Sequence, residues 1–436
     1  MRVLFVNDVF GYRGNVEQGI AEAAGGLKRR GHSVQLAYAS AVGNRIREYA
    51  RLFDKTFRYT DHHIPGAEAA PSSDHEPDFT GRFAQIVENS TPDVIYVHNR
   101  FAADMLAGLK TSPRVVRYLH ELAEVCPKGT NLLTYSKRPC MKPVGFSCWF
   151  DLAFLKARKP DGTTGVSFSA IGRARAELKK SRRYDLTLVS SRYMFDQLLI
   201  NGFPKDRVAV LPAAAVPVDV RDCPDTEIAQ DNDVTGLFLG CADPDDIEQF
   251  PKDPVILYVG RLLKERGVDT LLRSLRQLVD QTERAGALLH IVGSGSYESR
   301  LRELTVELGL DNYVRFHGWI SHARLGRLYA EAKVVAMPSH WPEPFGATGL
   351  EAMNRARPVV GADVGAIPEW LSDGETGYLV PPKNVDSLAK RLSDLLYDTE
   401  TAWRFGIGGR KRVRVGFAFN EYLTRLEAYL SGEEAV

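Results

Sequence analysis

The chain has 436 residues, a net charge of +1 at pH 7, and 44% hydrophobic and 25% charged residues. That length exceeds what one core supports and predicts two or three domains. Near-neutrality provides no field that would select a nucleic acid, so no such partner is expected. No run of about 18 apolar residues marks a membrane-spanning helix, and the first eight residues start as a strand rather than as a signal peptide, which predicts a cytoplasmic protein.

Taken in chain order, the first half alternates short β-rich runs with helical periodicity. Strands are expected at Val3–Val6, Val34–Tyr38, Val94–Val97, Val115–Tyr118, Leu186–Val189 and Val208–Leu211. Helices are expected at Glu17–Arg30 (stopped by Gly31), Phe79–Asn89, Ala102–Leu109, Ser169–Lys180 and Tyr193–Asn201. Apolar strands alternating with helices imply βαβ units and a parallel sheet. From Glu121 to about Gly165 regular patterning lapses, which is the mark of a functional loop or lid. Residues 219–253 are acidic and proline-bearing and form a linker or insertion.

A second alternation follows. Strands fit Val255–Val259, Leu288–Val292, Val314–His317, Val334–Met337, Pro358–Gly361 and Tyr378–Val380. Helices fit Val268–Gln281, Tyr297–Leu308, Arg324–Ala330, Gly346–Asn354, Val385–Tyr397 and Phe419–Leu430. The expected organisation is therefore a first doubly wound domain (1–218), the linker (219–253), a second doubly wound domain (254–415) and a C-terminal helix (416–436) packing back toward the first. In such sheets, ligands bind outside the carboxyl ends of the strands, here in a crevice between the two domains.

The most informative stretch is Glu343-Pro344-Phe345-Gly346-Ala347-Thr348-Gly349-Leu350-Glu351. A strand passing through a glycine turn into a helix offers free N–H groups and a positive dipole end to a phosphate or sugar oxygen. Neither carboxylate is expected to serve packing, so both are placed for hydroxyl groups. Other strand ends converge on the same sheet edge. Gly260-Arg261 with Lys264 and Arg266-Gly267 forms a cationic turn suited to a diphosphate. Gly293-Ser294-Gly295 permits close backbone approach. Phe316-His317-Gly318 and Pro338-Ser339 end two further strands.

The order of these motifs, from Gly260-Arg261 through Glu343 and Glu351, resembles the family-4 retaining glycosyltransferases of the GT-B fold, most strongly over 254–381. The resemblance implies transfer of a sugar from a nucleoside-diphosphate sugar to an acceptor hydroxyl, with no metal and no cofactor. Arg261 and Arg266 would grip the diphosphate; the family usually has lysine at the second position. Glu343 would bind hydroxyls of the moving sugar, and the N–H groups of Phe345 and Gly346 the sugar or phosphate. Glu351 would hold the ribose, and Phe316 and His317 would border the base. Gly260, Gly293, Gly295 and Pro338 would complete the donor site. In the first domain, Gly14 and Asn15 stand where the family carries a glycine pair, Asn15 being tolerant of left-handed backbone. His120-Glu121 is similar to the family's His-Asp pair, with His120 near the reacting sugar. Glu121, His98 and Asn99 fall on the acceptor side.

The remaining signals stay open. Cys126, Cys140 and Cys148 are three of five cysteines, an odd count against a disulfide framework. Their spacing matches no compact zinc knuckle, leaving free or transiently oxidised thiols as the alternative to zinc. The basic runs Arg45–Arg58 and Arg173–Arg183 fit a solvated helix face, an anionic acceptor, or peripheral contact with the inner face of a membrane. The acceptor class is left as a sugar, glycan, lipid-linked or small molecule. A nucleotide-sugar epimerase, a phosphorylase and a catalytically impaired binding protein share this architecture. A dinucleotide oxidoreductase is disfavoured, since the loop after Val6 lacks Gly-x-Gly-x-x-Gly.

Overall fold

The computed structural model of the protein describes residues 1–12, 14–41, 45–59, 79–98, 106, 109, 113–121, 125–136, 138–158, 164–214, 247–281, 286–320 and 322–433. Asn99, most of the helix expected at Ala102–Leu109 and most of the acidic linker lie outside these residues. The chain forms two compact units, Met1–Ala213 with Asn420–Val436, and Ala214–Phe419.

The first unit contains β1 (Arg2–Phe10), α1 (Asn15–Arg29), β2 (Ser33–Ala41), α2 (Ile46–Ala50), β3 (Lys55–Arg58), α3 (Phe79–Ser90), β4 (Val94–His98) and β5 (Arg114–Leu119). It continues with α4 (Phe146–Phe150), the two-residue strands β6 (Ala157–Arg158) and β7 (Thr164–Gly165), α5 (Ala170–Ser181), β8 (Leu186–Val189), α6 (Arg192–Ile200) and β9 (Val208–Val210). Seven strands form one sheet in the order β3-β2-β1-β4-β5-β8-β9, every pair parallel. The period-two rule sorts β1 between two cores: Val3 and Phe5 face one, Leu4 and Val6 the other. Both faces are covered, so the strands are apolar throughout rather than alternating.

The second unit runs β10 (Val255–Val259), α7 (Val268–Gln281), β11 (Leu288–Val292), α8 (Glu298–Glu307), β12 (Val314–Gly318), α9 (His322–Glu331) and β13 (Val334–Met337). It continues with α10 (Ala347–Asn354), β14 (Val359–Ala362), α11 (Ile367–Trp370), β15 (Gly377–Val380), α12 (Val385–Tyr397) and α13 (Thr399–Gly416). Its sheet order is β12-β11-β10-β13-β14-β15, again parallel throughout. Strand order reverses between β1 and β4 in one unit and between β10 and β13 in the other, which are the switch points where doubly wound sheets take ligands.

The last helix, α14 (Phe419–Ser431), completes the first unit. Leu426 and Leu430 join the core that holds Ile20 and Leu27 of α1. Arg30 and His32 both reach Glu427, at 2.5 and 2.7 Å. Gly26 of α1 is seated against Leu423, where an added Cβ would lie 2.6 Å from the leucine methyls.

Sequence patterning passed over α2 and the edge strand β3, whose lysine, threonine and arginine mute an apolar run. It also passed over α13, whose basic, glycine-bearing sequence carries a weak apolar stripe. The irregular segment 121–165 holds α4, a short 3₁₀ turn at Ala153–Lys156 and the β6–β7 pair.

Candidate functional site

The second unit's site is built where the loops after β10 and β13 meet. Gly267 lies so close to Pro338 that a Cβ would sit 1.9 Å from its carbonyl oxygen, and the His340 N–H donates to the Glu265 carbonyl at 2.8 Å. This backbone contact brings Arg266 to Glu343: guanidinium Nη1 lies 2.5 Å from Oε1. Trp341 Nε1 donates to the same oxygen at 3.0 Å and the Ser339 hydroxyl donates to it as well. Arg266 lies over the Trp341 ring, 5.1 Å from its centroid. All three donors converge on Oε1, and none of them reaches Oε2.

This arrangement corrects one expectation. Glu343 is 2% exposed and organises its own loop, so its carboxylate does serve packing. Arg266 directs Nη1 at Glu343 and lies over the Trp341 face, with its side chain 21% exposed. Arg261 and Lys264 are the exposed cations of that turn, and the Arg261 carbonyl is fixed by the Tyr258 hydroxyl at 3.1 Å. Sequence reading missed Trp341 and gave Ser339 no role of its own. Both lie within four residues of Glu343, and a tryptophan donor beside a buried acid was the available signal.

Gly346 caps α10 with φ of 89°, a conformation glycine adopts without strain. It turns the chain into α10, whose N-terminus has no side-chain cap. The Phe345 ring is buried and packs 6.0 Å from Phe417, while its carbonyl accepts from Trp370 Nε1 at 2.6 Å. Phe345 can therefore offer a ligand only its backbone. Glu351 on α10 is half-buried and accepts from the buried Tyr329 hydroxyl at 3.2 Å, a partner also unseen in the sequence. That carboxylate and burial together hold the Tyr329 phenol well above its ordinary pKa, burial being the larger cause.

Gly293 and Gly295 have a different origin from the one expected. A Cβ on Gly293 would lie 2.0 Å from the Gly260 carbonyl oxygen, and one on Gly295 would lie 2.4 Å from that of Leu262. The close backbone approach is between the protein's own loops. At the end of β12 the register slips, so that Val292 pairs with Gly318, and His317 bulges out of the ladder. Its ring lies 4.9 Å from His290, and burial lowers the pKa of both, that of His290 to about 4. Phe316 is half-buried against the core beneath the Arg302 guanidinium at 4.4 Å.

In the first unit, β4 and β5 end side by side, His98 Nδ1 lying 2.9 Å from His120 Nε2. His98 is buried at 3% exposure, stacked with Phe5 and Tyr118 and meeting Tyr96 edge-on. It braces His120 from the neighbouring strand. Burial drives the His98 pKa well down and brings that of His120 to about 4, with Glu121 opposing and Arg117 adding to the fall. Both imidazoles are neutral at pH 7. His98 Nε2 is buried without a partner. A buried orphan N–H is rarer than an orphan lone pair, so the favoured tautomer puts the proton on His98 Nδ1. His98 then donates to His120 Nε2, leaving His120 with its own N–H at Nδ1. Glu121 is exposed at the strand end.

The loop after β1 is also corrected. Gly14 is extended at φ of −166° and Asn15 begins α1, so neither carries left-handed backbone. That conformation falls on Gly11, with φ of 115°. Glu17 is buried and accepts from Asn7 Nδ2 at 3.4 Å. The three cysteines are free thiols, and among the described residues no cluster of His, Cys, Asp and Glu is arranged to hold a metal.

Fold and site together define an α/β protein of two Rossmann-like units, each with polar side chains gathered at the strand ends of its sheet. Residues 16–215 match the family described as Glycosyltransferase Family 4, and residues 242–412 match Glycosyl transferases group 1. The two matches together span most of the chain, which belongs to the family-4 glycosyltransferases. Relatives include an uncharacterized glycosyltransferase of Methanocaldococcus jannaschii, 38% identical over 34% of this chain and 36% of its own. Another is the GDP-mannose-dependent alpha-(1-6)-phosphatidylinositol monomannoside mannosyltransferase of Mycobacterium tuberculosis, 32% identical over 42% of this chain and 48% of its own. The matched stretches thus span less than half the length of these relatives. The crystal structure of Anabaena HepE in complex with UDP and glucose superposes with a TM-score of 0.68 over 99% of both chains at 19% identity, a likeness that shows the GT-B fold.

Proposed function

We propose that the protein transfers a sugar from a nucleoside-diphosphate sugar to an acceptor hydroxyl, retaining the configuration of the anomeric carbon and requiring no resident metal. The observation that carries this reading is the Arg266–Glu343–Trp341–Ser339 cluster, set at the β10/β13 switch point and followed at once by the α10 N-terminus.

In this reading the diphosphate lies against Arg261 and the α10 amides, which offset the charge that develops as the leaving group departs. Glu351 binds the ribose, its geometry fixed by Tyr329. The Glu343 carboxylate, anchored through Oε1, holds a sugar hydroxyl through Oε2. A carboxylate taking three hydrogen bonds on one oxygen is a poor nucleophile, which favours attack by the acceptor on the face the leaving group vacates. The bond from the anomeric carbon to phosphate oxygen breaks with its electron pair, the acceptor oxygen bonds to that carbon, and the acceptor proton passes to the departing phosphate. His120, neutral and of fixed tautomer, supplies hydroxyl contacts.

The anchored glutamate beside a free helix N-terminus supports a donor-sugar site. The GDP-mannose named for the mycobacterial relative and the UDP-glucose bound to HepE support a nucleotide-sugar donor without choosing between bases. The test is thermal stability with UDP, GDP, ADP, TDP and NAD, followed by the anomeric configuration of the product by NMR. A ligand at about a hundred times its Kd adds about 2.7 kcal/mol. A shift with one nucleoside diphosphate is expected. A shift with NAD alone, or an inverted product, would overturn the proposal.

A further inference from the structure

Most of the exposed large apolar side chains among the described residues lie between 135 and 168. Phe146 is 76% exposed, Phe150 72% and Phe168 63%, with Trp149, Val166 and Leu155 also open. The rings are gathered rather than scattered. Phe146, Trp149 and Phe150 occupy positions i, i+3 and i+4 of α4, one helical face. Phe146 and Phe150 meet at 5.0 Å, and Trp149 lies 5.2 Å from Phe154, which in turn lies 5.1 Å from Phe168. A contiguous apolar patch of this kind on a water-exposed face marks an interaction surface.

The charge beside it is one-sided. Residues 169–184 hold Arg173, Arg175, Lys179, Lys180, Arg182 and Arg183 against Glu177 alone. This helix is tied to the patch: Arg173 donates to the Ser167 hydroxyl at 3.2 Å, and the Ser167 N–H donates to the Phe154 carbonyl at 2.8 Å. Arg175, Lys179 and Arg182 line a cleft of about 540 Å³, whose opposite wall includes Pro143 and Val144, just before α4. Open aromatics at the rim and cations around a cleft match the layered chemistry of a bilayer, acyl boundary below and phosphates above. Aliphatic Leu155 and Val166 suit acyl chains better than stacked bases, which favours lipid over single-stranded nucleic acid.

We propose that this face of the first unit, built by residues 141–155 and 166–183, docks the protein on an anionic phospholipid bilayer, with the α4 aromatics and Phe168 entering the acyl boundary and Arg175 and Lys179 meeting lipid phosphates. The proposal stands apart from the transfer reaction, because the surface shares no residue with the proposed donor site. Each exposed cation near an anionic surface adds to the attraction, which salt screens.

The test is flotation of the full-length protein with phosphatidylcholine vesicles and with vesicles containing about a third phosphatidylglycerol. Wild type is expected to float with the anionic vesicles only, and high salt should release it. Phe146→Ser/Phe150→Ser and Arg175→Glu/Lys179→Glu should each weaken that binding at least tenfold, with unchanged circular dichroism and unchanged thermal shift by nucleoside diphosphate. Lack of flotation by wild type, equal binding to neutral vesicles, or full binding by either variant overturns the proposal. So does self-association abolished by the phenylalanine variant without vesicle binding, which would make the face a contact between copies. A single-stranded oligonucleotide that binds wild type where anionic vesicles do not would reassign it to nucleic acid.

Discussion

Arg266→Ala tests the central cluster. Arg266 Nη1 lies 2.5 Å from Glu343 Oε1, and the two side chains are 21% and 3% exposed. Removing the guanidinium leaves a nearly inaccessible carboxylate served by two neutral donors, the Ser339 hydroxyl and the Trp341 indole. Breaking a buried pair by deleting one partner costs about 3–5 kcal/mol, against about 0.2–1 for an exposed pair. The two remaining donors and the partial access of water at Arg266 place the expected loss near the lower end, about 3 kcal/mol. Urea unfolding followed by tryptophan fluorescence reads it, since Trp319, Trp341, Trp370 and Trp403 all fall in the second unit. Arg266→Met/Glu343→Gln removes both charges and should recover most of the loss, because no uncompensated ion then remains. A cost below about 1 kcal/mol for Arg266→Ala, or a double variant as unstable as the single, would refute the view that this pair is buried and mutually dependent.

Other outcomes follow from the same geometry. Arg261→Ala should lower donor turnover about tenfold or more, equivalent to about 1.4 kcal/mol in the transition state; wild-type rates would remove Arg261 from the site. Glu351→Ala should weaken nucleoside-diphosphate binding about tenfold by calorimetry, and unchanged affinity in a folded variant would end its ribose role. The histidine pair makes stability depend on pH. Both folded-state pKa values lie below the unfolded value, so between about pH 6.5 and 4 the unfolded chain binds more protons and stability falls as pH falls. His120 alone, at about 4, accounts for a loss of the order of 3 kcal/mol across that window. Constant unfolding free energy from pH 7 to 5 would contradict it. His98→Phe, which keeps the ring stack and removes the hydrogen bond, should lower kcat more than it raises KM while leaving the fold intact. Wild-type kcat would show that His120 needs no such support.

The alternation of strands and helices was legible because buried parallel strands must be apolar on both faces and their covering helices must be amphipathic. Every strand expected between Val255 and Val380 is present within a residue or two of its place. Elements without a strong apolar signature, the edge strand β3 and the basic helix α13, were not legible for the same reason: their sequences answer to solvent as much as to the core. Glycines were visible as departures from side-chain chemistry, but not what they approached. Gly293, Gly295 and Gly267 each admit another loop of the same sheet edge, a tertiary fact with no local mark.

The site residues divide along the same line. Glu343, Arg266 and His98 could be picked out by position at strand ends, but the neighbours that hold them could not. A sequence shows that a charged or titratable group is present without showing whether its partner is a ligand or a neighbour. Desolvating an ion or an imidazole costs several kcal/mol unless donors and acceptors are supplied. A strand-end loop that buries one must therefore recruit partners from loops far away in the chain: Arg266 comes to Glu343 across 77 residues, and His98 to His120 across 22. These second partners hold Glu343 and His120, each within its own unit, in a fixed orientation. Preorganisation of this kind is what a transfer reaction requires of groups that must meet a developing charge without first rearranging. The internal hydrogen bonds to Glu343 and His120 are what would supply that preorganisation under the proposed function.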